Sequence, residues 1–199
     1  MLRISKVFMD FEKEGVFVGE LRQFVILQKT EKPPRNFLAP FLESNSSLKK
    51  IVISMQGIDE SEEQQIISFL KFLIENNYFI SLSISSSKFH ENLIKYADFV
   101  SLNAIPPSSR KIPYRQQFDI ISKYVLSHPQ VEVRCRIKKE HDASYVVGLY
   151  SLIHDKHPYT PLSVAIDWKN ASAPKKLLQY LKEQLMEESM DYVKVILVR

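Results

Sequence analysis

Short apolar segments alternate with longer segments of helical periodicity along most of the chain. Apolar segments of strand length are predicted at Phe24–Leu27, Ile51–Met55, Phe79–Ile84, Phe99–Leu102, Val131–Ile137, Leu162–Ile166 and Val193–Val198. Helices are predicted between them at Glu60–Asn76, Lys88–Tyr96, Arg115–Ser127, Ala143–Asp155 and Lys175–Met190. Strands that alternate with helices indicate βαβ units and a mainly parallel sheet.

The helix predicted at Glu60–Asn76 has the clearest pattern, because its apolar residues recur at helical spacing: Ile66, Phe69, Leu70 and Leu73. Asp59 and Glu62 resemble a capping pair at its start. The acidic segment "DESEEQQ" around them is interpreted as a solvated helix start rather than a metal site.

Within the predicted strands, apolar and polar residues alternate. From Val133 to Lys138 the odd positions are apolar and the even positions cationic, and from Ile80 to Ile84 serines take the second face. Successive strand side chains point to opposite faces, so one face packs under helices and the other is small and polar. The pattern predicts an α/β fold, a partial (β/α) barrel of about six βα units with a mainly parallel curved sheet and helices outside. The alternative is an open doubly wound sheet.

Composition is that of one folded domain, predicted to span 1–199. The chain has 45% hydrophobic and 25% charged residues and a net charge of +4, which excludes a disordered chain and does not imply nucleic-acid binding. No apolar run reaches the length of a membrane span, and charged residues come too early for a secretory signal. We expect a cytoplasmic protein without a membrane partner.

Cysteine content limits the chemistry. Cys135 is the only cysteine, which excludes an internal disulfide and an iron–sulfur cluster held by three cysteines. Cys135 is interpreted as a buried small hydrophobe. The alternative is a reactive thiol of low pKa beside the neighbouring arginines.

The strongest chemical signal is the cationic face of the fifth predicted strand, with Arg134, Arg136 and Lys138. Residues two apart on a strand lie roughly 6.6–6.8 Å apart on one face. Two guanidinium groups there would favour a carboxylate or phosphate ligand. The alternative is a solvent-facing strand whose charges are paired.

Ligands of barrel proteins bind at the carboxyl ends of the strands. Polar residues near such ends are therefore further candidates: Ser54, Ser83, Asn103 and Asp167. Asp167 fits an acid–base group or a counter-ion, and it equally fits a helix-capping acid.

The histidines give weaker signals. His154 and His157 have a spacing compatible with a metal pair, but no third ligand accompanies them. Basic residues at the carboxyl end of a helix also complement its dipole, and this interpretation is favoured. His90 and His128 have no partner that the sequence identifies, and no metal is predicted.

The segment "KVFMDFEKEGVFVGELRQFVIL", from Lys6 to Leu27, resembles the N-terminal signature of the 7-carboxy-7-deazaguanine synthases, which are radical S-adenosylmethionine enzymes. Val7-Phe8, Glu14-Gly15, Gly19 and Phe24 to Leu27 fall into register with the family pattern. Downstream segments resemble the family in element order. The resemblance implies a barrel of radical-SAM type and makes Glu14 a candidate substrate contact.

The chain departs from that family at its cofactor sites. The cysteine loop is replaced by "QKTEKPPRNF", Ile26 stands where the family has an arginine that contacts substrate, and Ser54 to Ile58 replace the motif that binds S-adenosylmethionine. Radical chemistry without cluster ligands lacks an electron source. The comparison therefore implies a non-catalytic descendant without a cluster or S-adenosylmethionine.

Three functions remain open from the sequence. The first is the binding of a small anionic molecule or a protein partner, including a second copy of the chain, by such a descendant. The second is an enzyme with redesigned chemistry, in which Asp167 or Glu14 acts as acid or base and the arginines hold an anion. The third is a structural partner for a genuine radical-SAM paralogue.

Overall fold

The computed structural model describes residues 2–31, 38–44, 47–56, 60–109, 113–167, 174–186 and 193–198. Within these ranges the side chains of residues 56, 60, 167, 184–186 and 198 are not described. The predicted capping residue Asp59 and the predicted helical positions 187–190 lie outside the described residues.

Strands and helices follow the predicted alternation. The strands are β1 Leu2–Phe11, β2 Leu21–Lys29, β3 Lys50–Gln56, β4 Phe79–Ser85, β5 Phe99–Ala104, β6 Val131–Ile137, β7 Leu162–Asp167 and β8 Val193–Val198. The helices are α1 Ala39–Leu42, α2 Glu63–Glu75, α3 Glu91–Ile94, α4 Tyr114–Ser127, α5 Glu140–Lys156 and α6 Pro174–Met186, and a 3-10 turn at Glu60–Glu62 precedes α2.

The strands form one sheet in the order β1-β2-β3-β4-β5-β6-β7-β8. β1 and β2 pair antiparallel, whereas β2 with β3, β3 with β4, β6 with β7 and β7 with β8 pair parallel. The prediction of an α/β fold with a mainly parallel sheet is confirmed, and β2 to β7 are each followed by a helix, which agrees with about six βα units.

The antiparallel strand β1 was not predicted from the sequence. Its ten residues "LRISKVFMDF" mix cations and an acid with apolar residues, and a register shift between Ile4 and Lys6 interrupts the alternation. An edge strand tolerates such charge because one of its sides lacks a neighbouring strand.

The bounds of α3 and α5 differ from prediction, and the short helix α1 was not predicted. The helix predicted at 88–96 is confined to α3, Glu91–Ile94. α5 begins at Glu140, so that His141 and Asp142 lie in its first turn. Asp142 accepts a hydrogen bond from the backbone N–H of Lys139 (3.0 Å), and this contact lets the helix start earlier than its apolar pattern indicates.

The chain divides into two compact units. The first comprises Met1–Glu12, Gly19–Ser85 and His90–Ser101. Its core includes buried residues of β2, β3, β4 and α2, and Phe41 of α1 packs edge-on against Phe69 (ring centroids 5.5 Å apart). The polar position Ser81 is buried because Arg22 donates to its hydroxyl (2.7 Å).

The acidic start of α2 belongs to the same unit and was predicted to be solvated. That prediction is wrong for two of its residues. Glu62 is 2% exposed, and Glu63 Oε1 lies 3.0 Å from Nδ1 of the buried His90. The side chain of Glu63 is 15% exposed in this contact.

The second unit comprises Lys13–Val18, Ser86–Phe89 and Leu102–Arg199. Asp142, fully buried, accepts hydrogen bonds from the backbone N–H (3.0 Å) and hydroxyl (2.6 Å) of Ser108. Buried Gln117 likewise accepts from Ser86, Ile105 and Tyr145. These contacts join the segments that follow β4, β5 and β6.

Among the described residues, none of the helices is long and apolar enough to cross a membrane.

Candidate functional site

Polar side chains of the second unit lie on one face of β6, β7 and β8. The parallel register places Arg134 beside Ser163 and Ser163 beside Lys194. One step further along, Arg136 lies beside Ala165 and Ala165 beside Ile196. We call the surface formed by these residues and Glu132 the arginine face; its members are Glu132, Arg134, Arg136, Ser163, Ala165, Lys194 and Ile196.

Glu132 and Arg134 form a buried ion pair at the centre of the arginine face. Nε and Nη2 of Arg134 both contact Oε1 of Glu132. The side chain of Glu132 is fully buried and that of Arg134 is 10% exposed. Since each charge compensates the other, Arg134 needs no ligand for its neutralisation.

The Lys13–Val18 loop connects β1 to β2 and lies on the arginine face. Glu14 forms an ion pair with Arg136. The backbone N–H of Val16 donates to Oε2 of Glu132 (2.7 Å), and Nζ of Lys194 lies 3.5 Å from the carbonyl oxygen of Gly15. The loop is therefore held by both β6 and β8.

Gly15 allows the loop to lie this close. Its φ is +85°, and a Cβ at this position would lie 2.5 Å from Nε of Arg134 and 2.5 Å from Oε1 of Glu132. Any other residue would combine an unfavourable left-handed backbone with a steric clash. Glycine at the Glu14-Gly15 pair thus has a packing reason that is independent of any ligand.

Ser163 is the unexplained polar group of the arginine face. Its residue is 3% exposed, and its hydroxyl has no hydrogen-bond partner among the described residues. The register places it between Arg134 and Lys194. A buried hydroxyl without a partner is costly, so this position favours an additional hydrogen-bonding group.

The described charges of the arginine face sum to a positive value. The cations Arg134, Arg136 and Lys194 accompany the carboxylates Glu14 and Glu132. The side chain of Arg136 is 51% exposed and Lys194 is also exposed, so these two cations are accessible to an incoming anion. The surface is suited to holding one oxyanion group.

The predicted site residues divide between the two units. Arg134, Arg136 and Glu14 come together in the second unit, where Lys138 follows β6 and donates its backbone N–H to Asp142 (2.9 Å). Asn103 lies on β5 and accepts a bond from the N–H of Ser86 (3.0 Å).

The other three predicted residues are Ser54, Ser83 and Asp167. Ser54 and Ser83 are neighbours in the β3–β4 register of the first unit. Asp167 ends β7 beside Val198, and its side chain lies outside the described part. A role for Asp167 as counter-ion of the arginines remains a prediction.

Sequence reasoning missed Glu132, Ser163 and Lys194. Glu132 could have been identified from the sequence, because it lies two positions before Arg134 on the same strand and therefore on the same face. Ser163 and Lys194 carried no such signal. Their place beside Arg134 depends on the register of β6, β7 and β8, which no local pattern specifies.

Cys135 lies on the opposite face of β6 and is buried. Burial raises the pKa of the Cys135 thiol. The interpretation as a buried small hydrophobe is confirmed, and a reactive thiolate is not supported. Within the described ranges, no three His, Cys, Asp or Glu side chains are grouped as metal ligands. The ring of His154 lies at a tilt to that of Tyr150 (ring centroids 5.3 Å apart).

A separate groove of about 490 Å³ lies between α5 and α6 and is lined by Glu140, His141, Ser144, Lys176, Gln179, Tyr180 and Glu183. Its lining mixes both signs of charge, and Gln179 donates to Glu183 (2.9 Å) within it. No buried polar group without a partner marks a ligand there among the described residues, which distinguishes it from the arginine face.

No protein-family model and no curated protein sequence matches this chain.

Proposed function

We propose that this protein binds a small anionic molecule on the arginine face and does so without catalysing a reaction. The observation that carries the proposal is the buried hydroxyl of Ser163, which has no partner among the described residues and lies between two cations. An oxyanion group accepts hydrogen bonds from a hydroxyl, a guanidinium and an ammonium group alike. One ligand group would therefore give the Ser163 hydroxyl a partner and lie beside both cations.

The spacing of the face suits a ligand of this size. Neighbouring strands lie about 4.8 Å apart, so Ser163 is within one strand of both Arg134 and Lys194. The register places the small, buried side chain of Ala165 between Arg136 and Ile196. A carboxylate or phosphate group above Ser163 would lie within reach of Arg136 and Lys194.

Arg136 is proposed as the main ligand contact, with Arg134 in a supporting role. Arg134 is committed to Glu132, and taking it away would leave a buried carboxylate uncompensated. Arg136 is half exposed, and its pairing with Glu14 is the kind that solvent weakens. Replacing Glu14 by a ligand anion at Arg136 therefore costs less free energy than replacing Glu132 at Arg134.

The architecture and ancestry are part of the same proposal. After the β1–β2 hairpin, the parallel pairs join strands that are consecutive in the chain, so these crossovers step in one direction, and right-handed crossovers then place their helices on one face. We propose that the sheet curves into a partial barrel, as in radical-SAM proteins. The chain would be a degenerate relative of the 7-carboxy-7-deazaguanine synthases that has lost its cluster and S-adenosylmethionine sites.

The test is calorimetric titration of inorganic phosphate, nucleotides, pterins and S-adenosylmethionine into wild type, Arg136→Ala and Ser163→Ala. Loss of one charge-assisted hydrogen bond should weaken binding by about 1.5–3 kcal/mol for Arg136→Ala. Arg115→Ala, an exposed arginine of α4, is the matched control and should bind like wild type.

If no compound binds below millimolar concentration, the proposal is wrong. It is also wrong if Arg136→Ala binds the compounds as tightly as the control Arg115→Ala does. Protein binding would then be the better candidate. The residues that favour it lie near the loop end of the β1–β2 hairpin, where Met9, Phe11 and Leu21 are 59%, 58% and 43% exposed.

A further inference from the structure

We infer that the Lys13–Val18 loop is a lid over the arginine face, and that the carboxylate of Glu14 occupies the place at Arg136 that an anionic ligand takes on binding. This inference rests on the proposed anion site and adds its regulation. The loop would supply an internal competitor for the ligand.

The contacts of Glu14 carry this inference. Its carboxylate pairs with Arg136 although 122 residues separate the two positions, so the loop delivers an oxyanion group to the exposed cation of the face. A carboxylate or phosphate ligand would make the same contact with the same guanidinium. Glu14 and such a ligand therefore exclude each other at Arg136.

Burial of Ser163 is the second observation. Ser163 is 3% exposed, and Arg134 beside it is 9% exposed. A ligand cannot reach the Ser163 hydroxyl from solvent in this arrangement. Gly15 lies directly on Arg134 and Glu132, where a Cβ would come within 2.5 Å of either side chain. Movement of the loop would uncover this part of the face.

The loop has a fixed base and polar contacts that can be exchanged. Backbone bonds between Glu12 and Glu20 (2.9 Å) and between Gly19 and Glu12 (2.9 Å) close the hairpin at its base. Gly15 and Gly19 both have positive φ, at +85° and +88°. The contacts to Arg136, Glu132 and Lys194 are polar, so solvent or a ligand can replace them.

The closed lid should reduce the apparent affinity. A ligand that binds only the open form has an apparent dissociation constant equal to the intrinsic constant divided by the fraction of open molecules. Glu14→Gln keeps the size of the side chain but removes the charge that pairs with Arg136. This variant should bind inorganic phosphate about tenfold more tightly than wild type. Arg136→Ala should bind it at least tenfold more weakly.

The experiment combines two measurements on the full chain. Calorimetry gives the affinity for inorganic phosphate and, separately, for malonate, which distinguishes a phosphate site from a carboxylate site. Amide hydrogen exchange of Val16 reports the lid, because this N–H is bonded to Glu132 (2.7 Å) when the lid is closed. Glu91→Gln, an exposed glutamate of α3, is the control and should match wild type in both.

If the loop is a lid, Glu14→Gln and Arg136→Ala should change the affinity for the anion in opposite directions but change the amide exchange of Val16 in the same direction. Glu14→Gln and Arg136→Ala should both speed exchange at Val16, while one binds more tightly and the other more weakly. Saturating anion should also speed exchange at Val16 in the wild type. Glu14→Asp, which keeps the charge on a shorter side chain, provides a second variant with an intermediate affinity.

Two results separate the lid from the site. If Glu14→Gln binds as wild type does or more weakly, while Arg136→Ala still abolishes binding, the lid is wrong and the anion site stands. If neither phosphate nor malonate binds to any variant, including Glu14→Gln, both the lid and the site are wrong.

Discussion

Glu132 and Arg134 lie two positions apart on one face of β6 and form an ion pair that the Lys13–Val18 loop covers. The pair neutralises both charges inside the protein, and the second oxygen of Glu132 accepts the N–H of Val16. A strand segment that looks cationic in the sequence is therefore partly balanced. Arg136 and Lys194 remain as the accessible cations of the face.

The stability of this pair can be measured. Glu132→Ala should lower the free energy of unfolding by about 3–5 kcal/mol, because it leaves a buried guanidinium without its counter-charge. Urea denaturation followed by circular dichroism measures the change. Glu91→Ala, in the exposed Glu91–Lys95 pair (3.8 Å), should cost less than about 1 kcal/mol. Equal losses in the two variants would contradict the structural role of Glu132.

Gly15 and Gly19 form a matched pair for a second prediction. Both have positive φ, so alanine at either position should cost about 1–2 kcal/mol from the backbone alone. At Gly19 a Cβ meets no atom within 4 Å among the described residues, whereas at Gly15 it would collide with Arg134 and Glu132. Gly15→Ala should therefore be the more destabilising variant, by about a further 1–3 kcal/mol. Similar unfolding midpoints would show that the loop does not pack as described.

Asp142 should contribute to stability in a manner that depends on pH. Burial alone would raise the pKa of Asp142, but hydrogen bonds from Ser108, Lys138 and Lys139 outweigh it and hold the pKa below its ordinary value of 3.8. Stabilisation from a lowered pKa is present above the unfolded-state value and is lost as the pH falls through the folded-state value.

Asp142→Asn should accordingly destabilise the protein by about 1–3 kcal/mol at pH 7, since the amide cannot accept all of these bonds. The difference from wild type should shrink as the pH falls below 3.8. Asp155→Asn, an exposed position on the same helix, is the control. A difference from wild type that stays constant down to pH 2 would exclude this role of the carboxylate.

Cys135 should be unreactive in the folded protein. Its thiol is buried and its pKa is raised by that burial, so thiolate is scarce and reagents cannot reach it. Ellman's reagent should modify it only at the rate of unfolding in buffer and at once in urea. Rapid modification of the native protein would mean that this face of β6 opens to solvent.

Local patterns predicted most, but not all, of the elements of this fold. The bounds of β6 and β8 agree with the apolar segments predicted at Val131–Ile137 and Val193–Val198. The reason is that strand formation here depends on alternating apolar side chains, which neighbouring residues specify. β1 and the start of α5 were missed because they depend on a partner strand and on a carboxylate cap.

The candidate site shows where sequence reasoning stops. Alternation on β6 predicted that Arg134 and Arg136 share one face, whereas the pairing of Glu14 with Arg136 was seen only in the structure. Which arginine is buried and which is exposed was not predictable. That difference follows from Glu132 and from the loop that lies over Arg134.

The sequence by itself therefore determined the α/β alternation, the cationic strand face and the buried state of the only cysteine, because each follows from side-chain character at short spacing. Tertiary structure alone decided that Ser163 and Lys194 join Arg134, and that a glycine loop more than a hundred residues away in the chain packs on Arg134 and Glu132. These relationships depend on the register between parallel strands and on long-range packing. Neither leaves a periodic signal along the chain.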